Sequence, residues 1–267
     1  MALIDNIIAY WKTDESSGNA ASEVGGFTLT NNGTTAYSAG KINNAADFGA
    51  SNTTKSLTSA NTIGLDMSIN FTQNCWVNIT TAPAASVAET WFLWANNTTA
   101  NKKGSFGTQY YNNAGTFQLY INRADSTAND QTGANQTLNV GTWYMLTITW
   151  NGTNNFIYLN GSGTPLITNA STRTGTDTTS GYTEGVQVGN DTTNVRWLSG
   201  LVDECGVWSR VLTSTEITEL YNSGAGLSYP FSSGPTNLKS YNTNLAANIK
   251  SIDTNLLANI KSLNTNV

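Results

Sequence analysis

Two neighbouring carboxylates, Asp203 and Glu204, stand in the stretch GLVDECGVWSRVLTSTEI at 200–217, beside Cys205, one of the two cysteines in the chain. Paired acids are what glycoside hydrolysis uses, one protonating the leaving oxygen and the other attacking or activating water. They are also hard oxygen ligands for a cation such as calcium. Either chemistry needs both carboxyls on one side of the strand. In a regular strand adjacent side chains alternate, so 203 and 204 should face opposite ways, whereas a retaining glycosidase needs its carboxyls about 5–5.5 Å apart on one face. The pair is therefore expected to be structural. Histidine is absent, which removes the usual general base near neutral pH and the commonest transition-metal ligand. A hydrolase would need two of Asp14, Glu15, Asp47, Asp191, Asp203 and Glu204 to converge in a cleft. Cys75, in FTQNCWVNIT, and Cys205 both lie in strand-like runs. They pair if those strands are neighbours, and otherwise act as small buried hydrophobes.

The elements that position these residues are strands. Charged residues make up 11% of the 267, while Asn, Thr, Ser and Gly are abundant, a mix that suits many short strands joined by turns. Strand runs include IIAYW, SINFTQNCWVNIT, ETWFLWA, TFQLYIN, TWYMLTITWNG, NFIYLNG, GVQVGN and VDECGVWSR. Asn-Gly at 151–152 and 160–161 supplies the positive-φ residues of tight hairpins, as do NNGTT and NNAGT. The expectation is an all-β antiparallel sandwich with its tryptophans mostly in the core. One short helix is expected over LTSTEITELYNSG, capped by Thr213 or Ser214 and ended by Gly224. The net charge of −5 offers phosphates no basic surface, so nucleic acid is not expected as a partner. No apolar run is long enough to span a membrane. MALIDNIIAYWK has no basic region followed by an apolar core, so no classical signal peptide is read there.

Several of these stretches together resemble a known family. GLVDECGVWSRVLTSTEITELYNSGAG followed by YPF is similar to the closing signature of laminin-G-like, concanavalin A-like jelly-roll domains. IIAYWKTDESSGN resembles the family's opening, and GKINNAADFGASN, MSINFTQNCWVNI and GTWYMLTITWNGTNNFIYLNG fit its middle strands in order. The resemblance covers 1–231 and implies a jelly-roll sandwich of glycan-binding type. Glucanases of that superfamily carry acids spaced E-x-D-x-x-E, and this chain has no such run. Some relatives bind calcium through loops at one end of the sandwich. The candidates here are Asn52, Asn190, Asp191 and Asn194, with an ordinary polar turn as the alternative.

Residues 232–235, SSGP, read as a linker, and 236–267 as a separate tail built on an 11-residue repeat. Leu238, Tyr241, Leu245, Ile249, Ile252, Leu256, Ile260, Leu263 and Val267 follow a 3-4-4 spacing. That period, about 3.67 residues per turn, suits a nearly straight helical stripe. The many Asn, Thr and Ser residues are poor helix formers, which leaves extended or disordered tails open. A stripe of this kind is expected to pack on other copies of the chain or on a larger capsid or surface assembly. Together these features predict a non-enzymatic, surface-exposed recognition or decoration protein on a virion or cell surface. A phage decoration or fibre protein is the first expectation. A bacterial adhesin or filament subunit is the second, and a glycan-active hydrolase is third. A sandwich that binds no sugar and serves as armour fits the same assembly.

Overall fold

Strand-forming runs broken by Asn-Gly pairs fold into ladders because buried backbone donors and acceptors must find partners. The computed structural model describes residues 1–49, 54–59, 70–84, 88–94, 105–113, 116–124, 129–170, 186–190 and 196–231. For 88–94, 105–113, 116–124, 129–134 and 169–170 it describes the backbone alone. Among the described residues, antiparallel strands form two sheets. In chain order they are β1 (Ile7–Trp11), β2 (Thr30–Asn32), β3 (Ala36–Ala39), β4 (Asn44–Asp47), β5 (Ser56–Thr58), β6 (Phe71–Ile79), β7 (Ala88–Trp94), β8 (Ser105–Asn113), β9 (Thr116–Ala124), β10 (Asn129–Asn135), β11 (Trp143–Trp150), β12 (Asn154–Leu159), β13 (Ile167–Ala170), β14 (Val186–Val188) and β15 (Gly200–Trp208). One sheet runs β13-β12-β11-β6-β15-β4-β3 with β1 also on β15, and the other runs β10-β9-β8-β7-β14-β5-β2.

The turns behave as their residues dictate. Gly152 has φ 86°, and the Asn151 N–H donates to the Asn154 carbonyl at 3.2 Å, closing the β11–β12 hairpin. Asn160 and Gly161 both take positive φ, and the Ser162 N–H donates to the Leu159 carbonyl. Two consecutive positive-φ residues are what a tight turn of this hand requires.

One core lies between the sheets, where Trp11, Phe48, Phe71, Cys75, Val77, Trp150, Val202, Cys205 and Val207 meet Leu57, Val186 and Val188. A second core lies on the outer face of the larger sheet, with Tyr10, Trp76, Met145 and Trp208 beneath Leu212, Ile217, Leu220, Leu227 and Phe231. Two cores explain why β11 and β15 are buried on both faces, and why their sequences mix apolar residues into both alternating sets. The cover is α1 (Ser214–Tyr221) and the strap that follows it. Thr213 caps the helix and Glu216 returns the bond to the cap backbone, a complete capping box. Asn222, and not the expected Gly224, ends the helix in the left-handed conformation, and a short turn carries the chain on to Gly224, which also takes positive φ. Trp11, Trp76, Trp150 and Trp208 are fully buried. They are core residues, as expected of tryptophans in strands.

Candidate functional site

The ladder between β15 and β6 is broken. Asp203 lies opposite Trp76 and Gly206 opposite Asn74, so Glu204 and Cys205 together face Cys75. Glu204 has φ 51°, the conformation that the extra residue of one bulge type adopts and that normally selects glycine. The inserted residue resets the alternation. Val202, Cys205 and Val207 join the core between the sheets, while Asp203 and Glu204 both leave on the outer side. The regular-strand expectation, which put the two acids on opposite faces, is corrected by this bulge.

The bulge sits where β15 changes partners. On the edge away from β6, β4 pairs with Leu201 and Val202, and β1 takes over from Cys205 onward. The acids fill that junction. Oδ2 of Asp203 accepts the N–H groups of Lys41 and Ile42 at 2.8 and 2.9 Å, holding the turn between β3 and β4. Its Oδ1 accepts a longer bond from the Thr13 hydroxyl, 3.4 Å. The Tyr10 hydroxyl donates to Oε2 of Glu204 at 2.5 Å. Asp14 completes the arrangement by accepting the Asn44 N–H and the Asn43 side-chain amide, both at 3.1 Å. Three separated stretches, YWKTD, GKINN and VDE, thus meet at one place.

Relative exposure is 0% for Asp203 and 1% for Glu204. Burial pushes Asp203 up to about 8, a rise to which the charges of Glu204 and Asp14 add and which the two backbone donors oppose. Burial likewise pushes Glu204 up to about 7, with Asp14 adding and the Tyr10 hydroxyl and Lys12 opposing. Tyr10 is driven well above its ordinary value by its burial and then by Glu204. Raised carboxyl pKa values often mark general acids, but a general acid must reach its substrate. These two carboxyls are enclosed: Asp203 is held by the turn and Thr13, and Oε2 of Glu204 by Tyr10, while Oε1 of Glu204 is buried without a hydrogen-bond partner among the described residues. What the geometry does is tie β1 and the turn between β3 and β4 onto β15.

A second polar lock holds the helix. The Arg210 guanidinium makes a paired contact with Glu216, at 2.8 and 2.7 Å, and also donates to the carbonyls of Asp5 and Ala2. No pairing of Glu216 with Arg210 was expected from the sequence. Nor was the bond from Tyr10 to Glu204. The only local signal for that bond was the tyrosine of the AYW run, which reads equally well as core.

Among the calcium candidates, Asn190 is buried. Asn52, Asp191 and Asn194 lie outside the described residues. So do the stripe residues Leu238, Tyr241, Leu245, Ile249, Ile252, Leu256, Ile260, Leu263 and Val267. Among the described residues no group of three or more Cys, Asp and Glu side chains is placed to hold a metal ion, and no helix is long and apolar enough to cross a membrane.

Comparison with solved structures returns sandwiches of the same kind. Domain 4 of AbnA, a GH43 extracellular arabinanase from Geobacillus stearothermophilus solved with arabinotriose, matches with a TM-score of 0.58 at 18% identity, over 80% of this chain and 97% of that domain. The binding domain of Paraclostridial Mosquitocidal Protein 1 matches with a TM-score of 0.59 at 14% identity, over 83% of this chain and 53% of that one. The botulinum neurotoxin serotype G binding domain gives 0.58 at 14%, over 82% and 51%. The chain therefore spans about half the length of these toxin domains, and at such identities the likeness shows the fold alone. No curated protein matches the chain. The family model described as the concanavalin A-like lectin/glucanases superfamily matches residues 49–218, and with its two antiparallel sheets, closing strand and capping helix the chain belongs to that family.

Proposed function

We propose that this chain is a non-enzymatic recognition module, with a glycan-binding type of sandwich held in a multimeric surface assembly by its C-terminal tail. A phage or virion decoration or fibre protein is the assembly that best suits it. The observation that supports recognition without hydrolysis is the enclosure of Asp203 and Glu204, whose hydrogen bonds hold the sandwich together. The arabinanase domain was solved with arabinotriose, and this makes short arabinose oligosaccharides the first ligand class to test. The assembly half rests on the 3-4-4 stripe from Leu238 to Val267, a pattern that buries a continuous apolar face only against another surface. Calcium at the Asn190–Asp191 turn belongs to the same proposal. Its test is calorimetric titration of the full chain, and no heat above dilution would end that part of it.

The deciding experiment compares the full chain with a truncation ending at Phe231, by light scattering at matched concentration and on a glycan array. The expected result is a multimeric full chain, a monomeric truncation, glycan retention by both and no released reducing sugar. A monomeric full chain would remove the assembly reading. Release of reducing ends would remove the non-enzymatic one.

A further inference from the structure

Cys75 and Cys205 are the only two cysteines of the chain and are not joined in the structure. Their placement depends on the bulge. With a regular ladder continued from Asp203 opposite Trp76, Cys75 would face Glu204, and Cys205 would face Asn74 on the outer side. The extra residue moves Cys205 opposite Cys75 instead, and both side chains then enter the same core between the sheets. Facing residues on regular antiparallel neighbours have α-carbons about 4.5–5.5 Å apart, within the about 4.4–6.8 Å that a disulfide spans; the bulge departs locally from that spacing, but both cysteines stay in one core cluster. The bulge holds a glutamate in a left-handed conformation, where side chains other than glycine are strained. That strained residue is what brings the two sulfurs to one face.

We propose that Cys75 and Cys205 form a cross-strand disulfide when the chain folds in the presence of a small-molecule disulfide, and that the reduced chain, once folded, is closed to the same reaction. In the unfolded chain one cysteine, as thiolate, attacks a sulfur of the small disulfide. This forms a mixed disulfide and releases one small thiolate, which takes up a proton. The second cysteine loses its proton to solvent and attacks the protein-bound sulfur, so the mixed bond breaks and the second small thiol leaves. Two protein thiols are oxidised, one small disulfide is reduced to two thiols, and the two protons end on those thiols. In the folded chain both cysteines are buried. Burial pushes the Cys75 thiol up to about 12 and Cys205 well above its ordinary value, the latter also through the neighbouring Cys75. The attacking thiolate is therefore scarce and enclosed.

The test uses the full chain, refolded from denaturant either in a mixture of oxidised and reduced glutathione or in a phosphine reductant. Each sample is then unfolded in guanidinium, alkylated and weighed. The glutathione sample should contain no alkylated cysteine, weigh about 2 Da less than the reduced chain before alkylation, and unfold at a higher denaturant midpoint. The phosphine sample should carry two alkyl groups, and should still carry two after the folded protein has stood in oxidised glutathione. Two alkylated cysteines, a glutathione adduct or a covalent dimer after redox refolding would overturn the pairing. Loss of thiols from the folded, reduced chain would overturn its closure. Should refolding fail, cell-free synthesis with and without oxidised glutathione gives the same mass readout.

Discussion

Asp203 and Glu204 keep protons in the folded chain that the same side chains release when it unfolds. Ordinary carboxyls titrate near about 4, whereas here burial raises them to about 8 and about 7. Between those limits the folded state binds more protons than the unfolded state, so stability falls as pH rises. Their contribution is complete below about pH 4 and gone above about pH 8. The melting temperature of the 1–231 sandwich should therefore drop by several degrees from pH 5 to pH 8.5. Asp203→Asn and Glu204→Gln should flatten that slope, because each amide oxygen can still accept the main bonds of its carboxylate, from Lys41 and Ile42 or from Tyr10, and the side chain carries no charge to bury. Melting curves of the three proteins at four pH values check this, and an unchanged slope in both variants would show that other groups control it. Glu216 acts in the opposite sense. Although burial pushes its pKa up, Arg210 and Thr213 outweigh that and hold it below its ordinary value, so its share of stability is lost as pH falls.

At the scale of elements, the closing strand and the helix carry separable loads. A β-carbon on Gly206 would lie 2.5 Å from the Trp208 ring and 2.9 Å from the Tyr10 ring, both in the second core. Gly206→Ala should cost about 1–3 kcal/mol by overpacking, measured by denaturant unfolding. Glu216→Ala strips the buried Arg210 of its charge partner and removes half of the capping box. It should cost about 3 kcal/mol, since an unpaired buried charge is dearer than the pair itself, and Arg210→Met with Glu216→Leu should recover most of that loss. The helix was legible in the sequence because the cap at Thr213 is a local signal, and Glu216, Leu212, Ile217 and Leu220 stand close around it in the chain. The strands from Phe71, Trp143, Asn154 and Gly200 were legible for the same reason. Short strands such as β2, β3 and β5 were not, because three or four residues, mostly Thr, Asn, Ala and Ser, have no period of their own and are ordered by their neighbours. The bulge was hidden too, since Glu204 occupies the position where glycine would have announced it. The faces of the two acids were misread for that one reason.

On the scale of the whole molecule, the family motifs make physical sense as parts of one junction. YWKTD, GKINN and VDE are far apart in sequence, yet Tyr10, Asp14, Lys41, Ile42, Asn44, Asp203 and Glu204 bond to one another where β1 and β4 share an edge of β15. In this chain such a junction assigns the three stretches to holding the fold. In the proposed function, recognition then lies on other surfaces and the number of copies becomes a functional variable, since weak single sites gain strength when several are displayed together. The tail supplies that number in the proposed assembly. Its stripe places Ile252 in the middle of the 3-4-4 pattern, with Lys250 off it. Ile252→Asp in the full chain should lower the mass in light scattering to that of the monomer, because a buried carboxylate in an apolar seam costs several kcal/mol in each copy. Lys250→Asp should leave the mass unchanged. Binding to a glycan-coated surface should then weaken with Ile252→Asp by about 10²-fold or more, while affinity for the same glycan free in solution stays constant. Equal losses in both formats would place the effect inside the sandwich instead of in the display of many copies.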